Sequence, residues 1–281
     1  MNGFRTTLLM TALIVLFVLI GQAIYGQTGM IIAFGIAVAM NFGSYWFSDK
    51  VVLKMYRAKE VTRQEAPELV DMVDQLRQQA DLPMPKVYIM PSEQPNAFAT
   101  GRNPEHAAVA VTNGIVRLLG KRELAGVIGH ELAHVKNRDI LTSAVAATLG
   151  SAITMLARFA FFFGGNRDRG GALSGLLMMI LAPIAAMMIQ MAISRSREFV
   201  ADRDGARIAR DPGALADALI HLHQSAERIP MRSANPTTAH MFIVTPFSGR
   251  RRGFANMFST HPPMQERVQR LREMEKTGDF R

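Results

Sequence analysis

A chain of 281 residues can hold one large domain or two small ones. It contains no cysteine, which excludes disulfides and thiolate-bound metal, so any metal must rest on His, Asp or Glu. A net charge of +9 would suit nucleic acid, but no helix-turn-helix, Cys/His finger or aromatic-basic RNA signature accompanies it. The 49% hydrophobic content, gathered into clusters, suits instead a membrane protein with basic residues flanking its spans, and no nucleic-acid partner is expected.

The first cluster runs from Thr6 to Ile24 without a charge, and a second uncharged run follows from Met30 to Phe47. Each has about the length a helix needs to cross a hydrocarbon core. Arg5 ahead of an apolar stretch imitates a cleaved signal peptide, but the first run is long and a second follows at once. The reading is a two-helix transmembrane hairpin. Lys50, Lys54, Arg57, Lys59 and Arg63 crowd its exit while its loop is uncharged, which puts the N-terminus and the bulk of the chain in the cytoplasm.

From Ser48 onward the chain is soluble in character. Arg63 to Ala80 has an apolar stripe of Leu69, Met72, Val73 and Leu76 and predicts an amphipathic helix. After Pro83 and Pro85, Val87 to Met90 reads as a short strand, Asn96 to Gly101 as a candidate second and Ala107 to Thr112 as a third. An exposed edge there would hold an extended peptide through its main chain. A turn leading into a buried strand fits Asn96 and its neighbours equally well.

Next comes GVIGHELAHVKNRD, Gly126 to Asp139, which contains the H-E-x-x-H pattern His130-Glu131-Leu132-Ala133-His134. Leu124, Val127, Ile128, Leu132 and Val135 recur at helical spacing around it. On a helix, residues four apart share a face, so both imidazoles can converge on one metal ion. Zinc suits neutral imidazole nitrogens in a tetrahedral set. Glu131 is placed to take a proton from water at such a metal, as general base.

Ile140 to Gly165 is apolar apart from Arg158, and after Asn166-Arg167-Asp168-Arg169 a second, Met-rich apolar run reaches Ile193. The pair reads as a second apolar hairpin that spans the membrane twice, dips into it, or packs as an arm. If ligands on both sides meet at one metal, the crossings between them must be even. Two spans are favoured, although Arg158 and the charged loop are costly in lipid. Beyond lies Ser194-Arg195-Ser196-Arg197-Glu198-Phe199-Val200-Ala201-Asp202. A zinc hydrolase site needs three protein ligands, and Glu198 is the candidate third. Asp202, one turn on, could accept from the outer nitrogen of a ligand histidine and fix its ring. Read alone, this stretch is better explained as a charged helix face with ordinary i,i+4 pairs.

HELAHVKNRD followed by SRSREFVADRDGA resembles the membrane-bound zinc endopeptidase family of protease HtpX, related to the CAAX prenyl proteases. The resemblance covers essentially the whole chain. It implies one zinc ion per chain on His130, His134 and Glu198, with Glu131 as base and Asp202 beside the metal. Ser259-Thr260-His261-Pro262-Pro263, with Arg267 following, resembles that family's end motif, whose histidine and arginine contact substrate or oxyanion. Asn96, Ala97, Phe98 and Ala99 resemble its substrate-binding edge segment. His106, His221, His223 and His240 match no ligand pattern and read as surface or structural. Pro212 to Ile229 and Gln265 to Lys276 read as helices, and Ser233 to Arg252 as a long loop.

The expected fold is a mainly α membrane protein with a small β-sheet. It consists of a gluzincin-like protease domain split over 48–139 and 194–281, an N-terminal transmembrane hairpin at 1–47, and the second apolar hairpin at 140–193. The resemblance further implies a multi-pass protein of the bacterial inner membrane with its active site facing the cytoplasm. Its partners would be the lipid bilayer and misfolded or damaged membrane proteins and unfolded polypeptides, with self-cleavage among its reactions. Two alternatives stand: a CAAX-type prenyl-protein protease, against which so few spans argue, and a non-enzymatic membrane scaffold.

Overall fold

The structure is a computed structural model that describes residues 2–140, 142, 195–228, 243 and 262–280. Apart from Ile140 and Thr142, the stretch expected to form the second apolar hairpin lies outside these residues. So do His240, His261 and, except for Ile243, the loop read over 233–252. The chain divides into two compact units, Met1–Trp46 with Leu141–Ile193 and Phe47–Ile140 with Ser194–Arg281.

In the first unit the N-terminal apolar runs form helix α1, Asn2–Met55, whose helical geometry breaks at Tyr25 (φ −136°, ψ 21°) and Gly26 (φ 57°, ψ −143°). Gly26 accepts a positive φ because it has no Cβ, and the chain reverses there. The two limbs then pack antiparallel. Leu13 and Phe17 of the first bury against Ala37 of the second, flanked by Ile14, Ala33 and Met40. Asn41 Nδ2 donates to the Met10 carbonyl at 3.2 Å. Among the described residues one helix, Tyr25–Phe47, is long and apolar enough to cross a membrane, while the apolar helix Thr6–Gln22 is shorter.

The second unit begins with the last turns of α1. Strand β1 (Lys59–Glu60) is only two residues long, and helix α2 spans Pro67–Gln79. The pattern predicts a helix from Arg63, but the helix opens at Pro67, where a missing N–H costs nothing. Ahead of it, the Thr62 N–H donates to the Glu65 carboxylate at 2.9 Å and keeps the segment in a turn. Strands β2 (Lys86–Met90), β3 (Ala97–Thr100) and β4 (Ala108–Thr112) complete a small mixed sheet of order β1-β2-β4-β3. The β2–β4 pair is parallel and the outer pairs are antiparallel, with Ala99 opposite Val109. β3 is therefore an edge strand.

Helix α3 (Asn113–Leu118) leads into α4 (Lys121–Lys136), whose start is secured by the Glu123 carboxylate accepting from the Gly120 N–H at 3.1 Å. Leu124, Val127, Ile128, Leu132 and Val135 are all buried, as their spacing predicts. Each such side chain stabilises the fold by roughly 1.5–3 kcal/mol relative to exposure. α4 packs on one side against α2 and β3 and on the other against α6 (Pro212–Arg228), which in turn packs on α7 (Met264–Thr277). Residues 195–209 are helical and are called α5. α5 crosses α4 closely: a Cβ on Gly205 would lie 2.6 Å from the His130 Cα.

The faces of β3 divide cleanly. Ala97 and Ala99 join the main core with α4, while Phe98 lies among Leu53, Met90, Ala108 and Ala110. The Phe98 ring stands 5.8 Å from that of Tyr56, centroid to centroid.

Candidate metal centre

His130 and His134 leave the same face of α4 one turn apart, and their Nε2 atoms face each other at 3.2 Å. Glu198 of α5 closes the triangle, its oxygens 3.6 Å from His130 Nε2 and 3.5 Å from His134 Nε2. One donor atom from each of the three lies within 4.8 Å of the others. The crossing of α4 and α5 at Gly205 brings these helices near enough for the triangle to form.

Each outer nitrogen has a carboxylate beside it. His130 Nδ1 lies 3.0 Å from Asp202 Oδ1, and His134 Nδ1 lies 3.1 Å from Asp139 Oδ2. A carboxylate beside each Nδ1 assigns the ring proton to that atom in the neutral imidazole and leaves a lone pair on each Nε2. Two lone pairs and a carboxylate aimed at one point repel unless a cation lies between them. The field agrees. Burial opposes charging of His134 most strongly, yet the Asp139 and Glu198 carboxylates outweigh it and push the imidazole up to about 10. Three donor atoms converging on one point, with a carboxylate behind each imidazole, fit a metal ion.

Asp139 was not singled out by the sequence. The chain leaves α4 through Arg138 in the left-handed region (φ 55°), and this turn puts Asp139 under His134. Arg197 Nη1 donates to the Asp139 carbonyl at 3.5 Å. Asp202 is gripped on its far side, where Arg267 Nε and Nη2 donate to its two oxygens at 2.8 and 2.7 Å. Burial works against the Asp202 charge, but Arg267, with His130, holds its carboxyl down to about 2.

Glu131 is buried beside the triangle, and its Oε2 accepts from the Ala99 N–H at 2.8 Å. Burial pushes its carboxyl above the ordinary range, with the two histidines and the Ala99 N–H offsetting part of the rise. The general-base candidate thus sits against the edge strand. Asn96, just before that strand, is buried; its N–H donates to Thr112 Oγ1 at 2.9 Å and its Oδ1 accepts from the Ile243 N–H at 3.4 Å. Of the residues expected at the substrate, Ala99 meets Glu131 through its main chain. The side chains of Asn96, Phe98 and Arg267 are committed to buried partners. Elsewhere His106 Nδ1 contacts Asn103 at 2.7 Å and His221 pairs with Glu123 at 2.9 Å, both away from the triangle.

Comparison with known proteins places this geometry in context. The sequence profile described as peptidase family M48 matches residues 63–275. A protein named protease HtpX homolog from Salinibacter ruber is 65% identical over 274 residues, covering 98% of both chains. Another of that name from Burkholderia thailandensis is 55% identical over 284 residues, covering 99% of both. Among solved structures, Ste24p of S. mikatae matches with a TM-score of 0.53 at 17% identity, a likeness of fold. That match covers 92% of this chain and spans 61% of the longer one.

Proposed function

The chain belongs to peptidase family M48 and is a metalloprotease, and from that premise we propose that it is a membrane-anchored zinc endopeptidase acting on misfolded or damaged membrane proteins. The observation that carries the reading is the triangle of His130, His134 and Glu198 with a carboxylate behind each imidazole. His130, His134 and Glu198 would hold one zinc ion per chain. When bound, zinc supplies Lewis acidity, which polarises a peptide carbonyl and makes water nucleophilic near neutral pH.

The rest is the work of the chain's own groups. Asp202 and Asp139 hold the imidazole protons at Nδ1 and so direct both Nε2 lone pairs inward. Glu131, its carboxylate oriented by the Ala99 N–H, takes a proton from the attacking water and returns it to the leaving amine. Burial raises its pKa above that of a free carboxylate, which makes it a better proton acceptor. An extended substrate strand added at the β3 edge would run alongside Glu131, with its scissile bond near the triangle.

The membrane part of the proposal draws on α1. Leu19, Ile31, Ile32, Phe34 and Phe42 are exposed along it, an apolar surface suited to lipid. Tyr45, Trp46 and Phe47, followed by Lys50 and Lys54, mark its cytoplasmic end, as aromatic and basic residues do at interfaces. Two N-terminal spans, two further crossings within 140–193, and catalysis on the cytoplasmic face of a bacterial inner membrane complete the reading. Zinc removal tests its core. Activity on unfolded casein should vanish with chelator and return with one equivalent of zinc; casein cleavage that persists after complete metal removal contradicts the proposal.

A further inference from the structure

We propose that Arg267 is a positioning residue of the metal centre, acting on His130 through Asp202, rather than a contact for substrate. Three helices meet in this relay: Arg267 on α7, Asp202 on α5 and His130 on α4. The guanidinium binds Asp202 as a fork, Nε to Oδ2 at 2.8 Å and Nη2 to Oδ1 at 2.7 Å. A fork fixes the plane of a carboxylate as well as its position, which a single donor cannot do. The oxygen held at 2.7 Å is the one that lies 3.0 Å from His130 Nδ1, so Arg267 sets which carboxylate oxygen faces the imidazole and where it stands.

The same contact gives the buried Asp202 two donors in a place where a lone carboxylate would be costly. A rotated Asp202 would leave the His130 ring without its neighbour, and Nε2 would no longer face His134 and Glu198 consistently.

Two further observations oppose a substrate role. Arg267 is only 2% exposed, so it presents no face to an arriving peptide. Its third nitrogen, Nη1, donates to the Ile243 carbonyl at 3.2 Å, and the Ile243 N–H reaches Asn96 Oδ1 at 3.4 Å, just before the edge strand. All three nitrogens are therefore engaged, with Nη2 also 3.6 Å from Glu198 Oε2, and through Ile243 the side chain is tied to the start of β3.

The inference rests on the metal-centre reading above. The test uses full-length protein in detergent, stripped of metal and loaded with Co2+, whose visible spectrum reports ligand geometry. Wild type, Arg267→Lys and Arg267→Met are compared for cobalt affinity, cobalt spectrum, and kcat and KM on a peptide at saturating metal. Arg267→Met should weaken cobalt binding on the order of 10–100-fold, the range expected when support behind a metal-bound histidine is lost. Its spectrum should shift and kcat should fall with KM unchanged. Arg267→Lys keeps the charge without the fork and should recover part of the affinity. If Arg267→Met does not fold, Arg267→Lys decides by the same readouts. Wild-type cobalt affinity and spectrum in Arg267→Lys, with KM raised, would overturn the inference and restore the substrate role. A wild-type protein that binds no cobalt would overturn the metal centre itself.

Discussion

Placing a single methyl group on Gly205 should disable the metal centre without touching a ligand. The Cβ of Gly205→Ala would stand 2.6 Å from the His130 Cα, 2.7 Å from its nitrogen and 3.0 Å from the Gly129 carbonyl carbon. All three are backbone atoms of α4 and cannot swing aside. Restoring ordinary van der Waals separation, about 3.5 Å, requires α4 and α5 to part by roughly 1 Å. Asp202 and Glu198 lie one and two turns back on α5 and travel with Gly205. A centre of this kind tolerates about 0.5 Å of displacement, so a shift of this size breaks the match between Glu198 and the two histidines. Overpacking alone should cost about 1–3 kcal/mol, a fall of several degrees in Tm for a protein of this length. Zinc affinity, measured by competition with a chelator, should weaken by roughly 10-fold or more. Gly43→Ala is the control, because its Cβ meets nothing within 4 Å. If Gly205→Ala bound zinc as tightly as wild type, the close helix crossing would not be what sets the site.

Further consequences can be read from the same geometry. Glu198→Ala should leave a folded chain that no longer retains stoichiometric zinc through size-exclusion chromatography; retention at one per chain would remove Glu198 from the ligand set. Asp139→Asn should weaken zinc binding by about 10–100-fold, since an amide holds the His134 Nδ1 proton less firmly than a carboxylate; unchanged chelator competition would contradict this. Asp202 gives the pH test. Its carboxyl is held to about 2 against an ordinary 3.8, so its contribution is fully present above about pH 4 and is lost as pH falls through 2. The depression corresponds to roughly 2 kcal/mol, and metal-free Asp202→Asn should lack that part of the wild-type stability loss between pH 4 and 2 in denaturant titrations. A wild-type and a variant curve with the same slope there would refute it.

How much of this was legible in the sequence depends on how local each signal is. The helix carrying His130 and His134 could be read because its period lies within one segment and its apolar stripe surrounds the motif. Strands β2 and β4 were legible as short apolar runs set off by turn residues, β3 only as one of two readings, and two-residue β1 is too short to read. Asp139 escaped although it is only five residues from His134, because its position depends on a left-handed turn at Arg138 that the residue type does not announce. Gly205 looked like one glycine among 22, and only the crossing of two distant segments gives it meaning. The α5 carboxylates read alone as a charged helix face, since nothing in a helix's own sequence tells which neighbour it will meet. Arg267 entered only through the resemblance, as a contact for substrate or oxyanion, and nothing in its own helix announced the buried ion pair it makes with Asp202. Phe98 faces away from α4 because strand residues alternate, and which face of β3 met the metal helix was not encoded locally.

The central claim is metal-assisted peptide hydrolysis with Glu131 as the base. It is tested most directly by measuring zinc content and casein cleavage together on purified wild type and Glu131→Gln. One zinc per chain is expected in both proteins, with a rate at least about 100-fold lower in the variant. A Glu131→Gln protein that carries its zinc and still cleaves at the wild-type rate would contradict it.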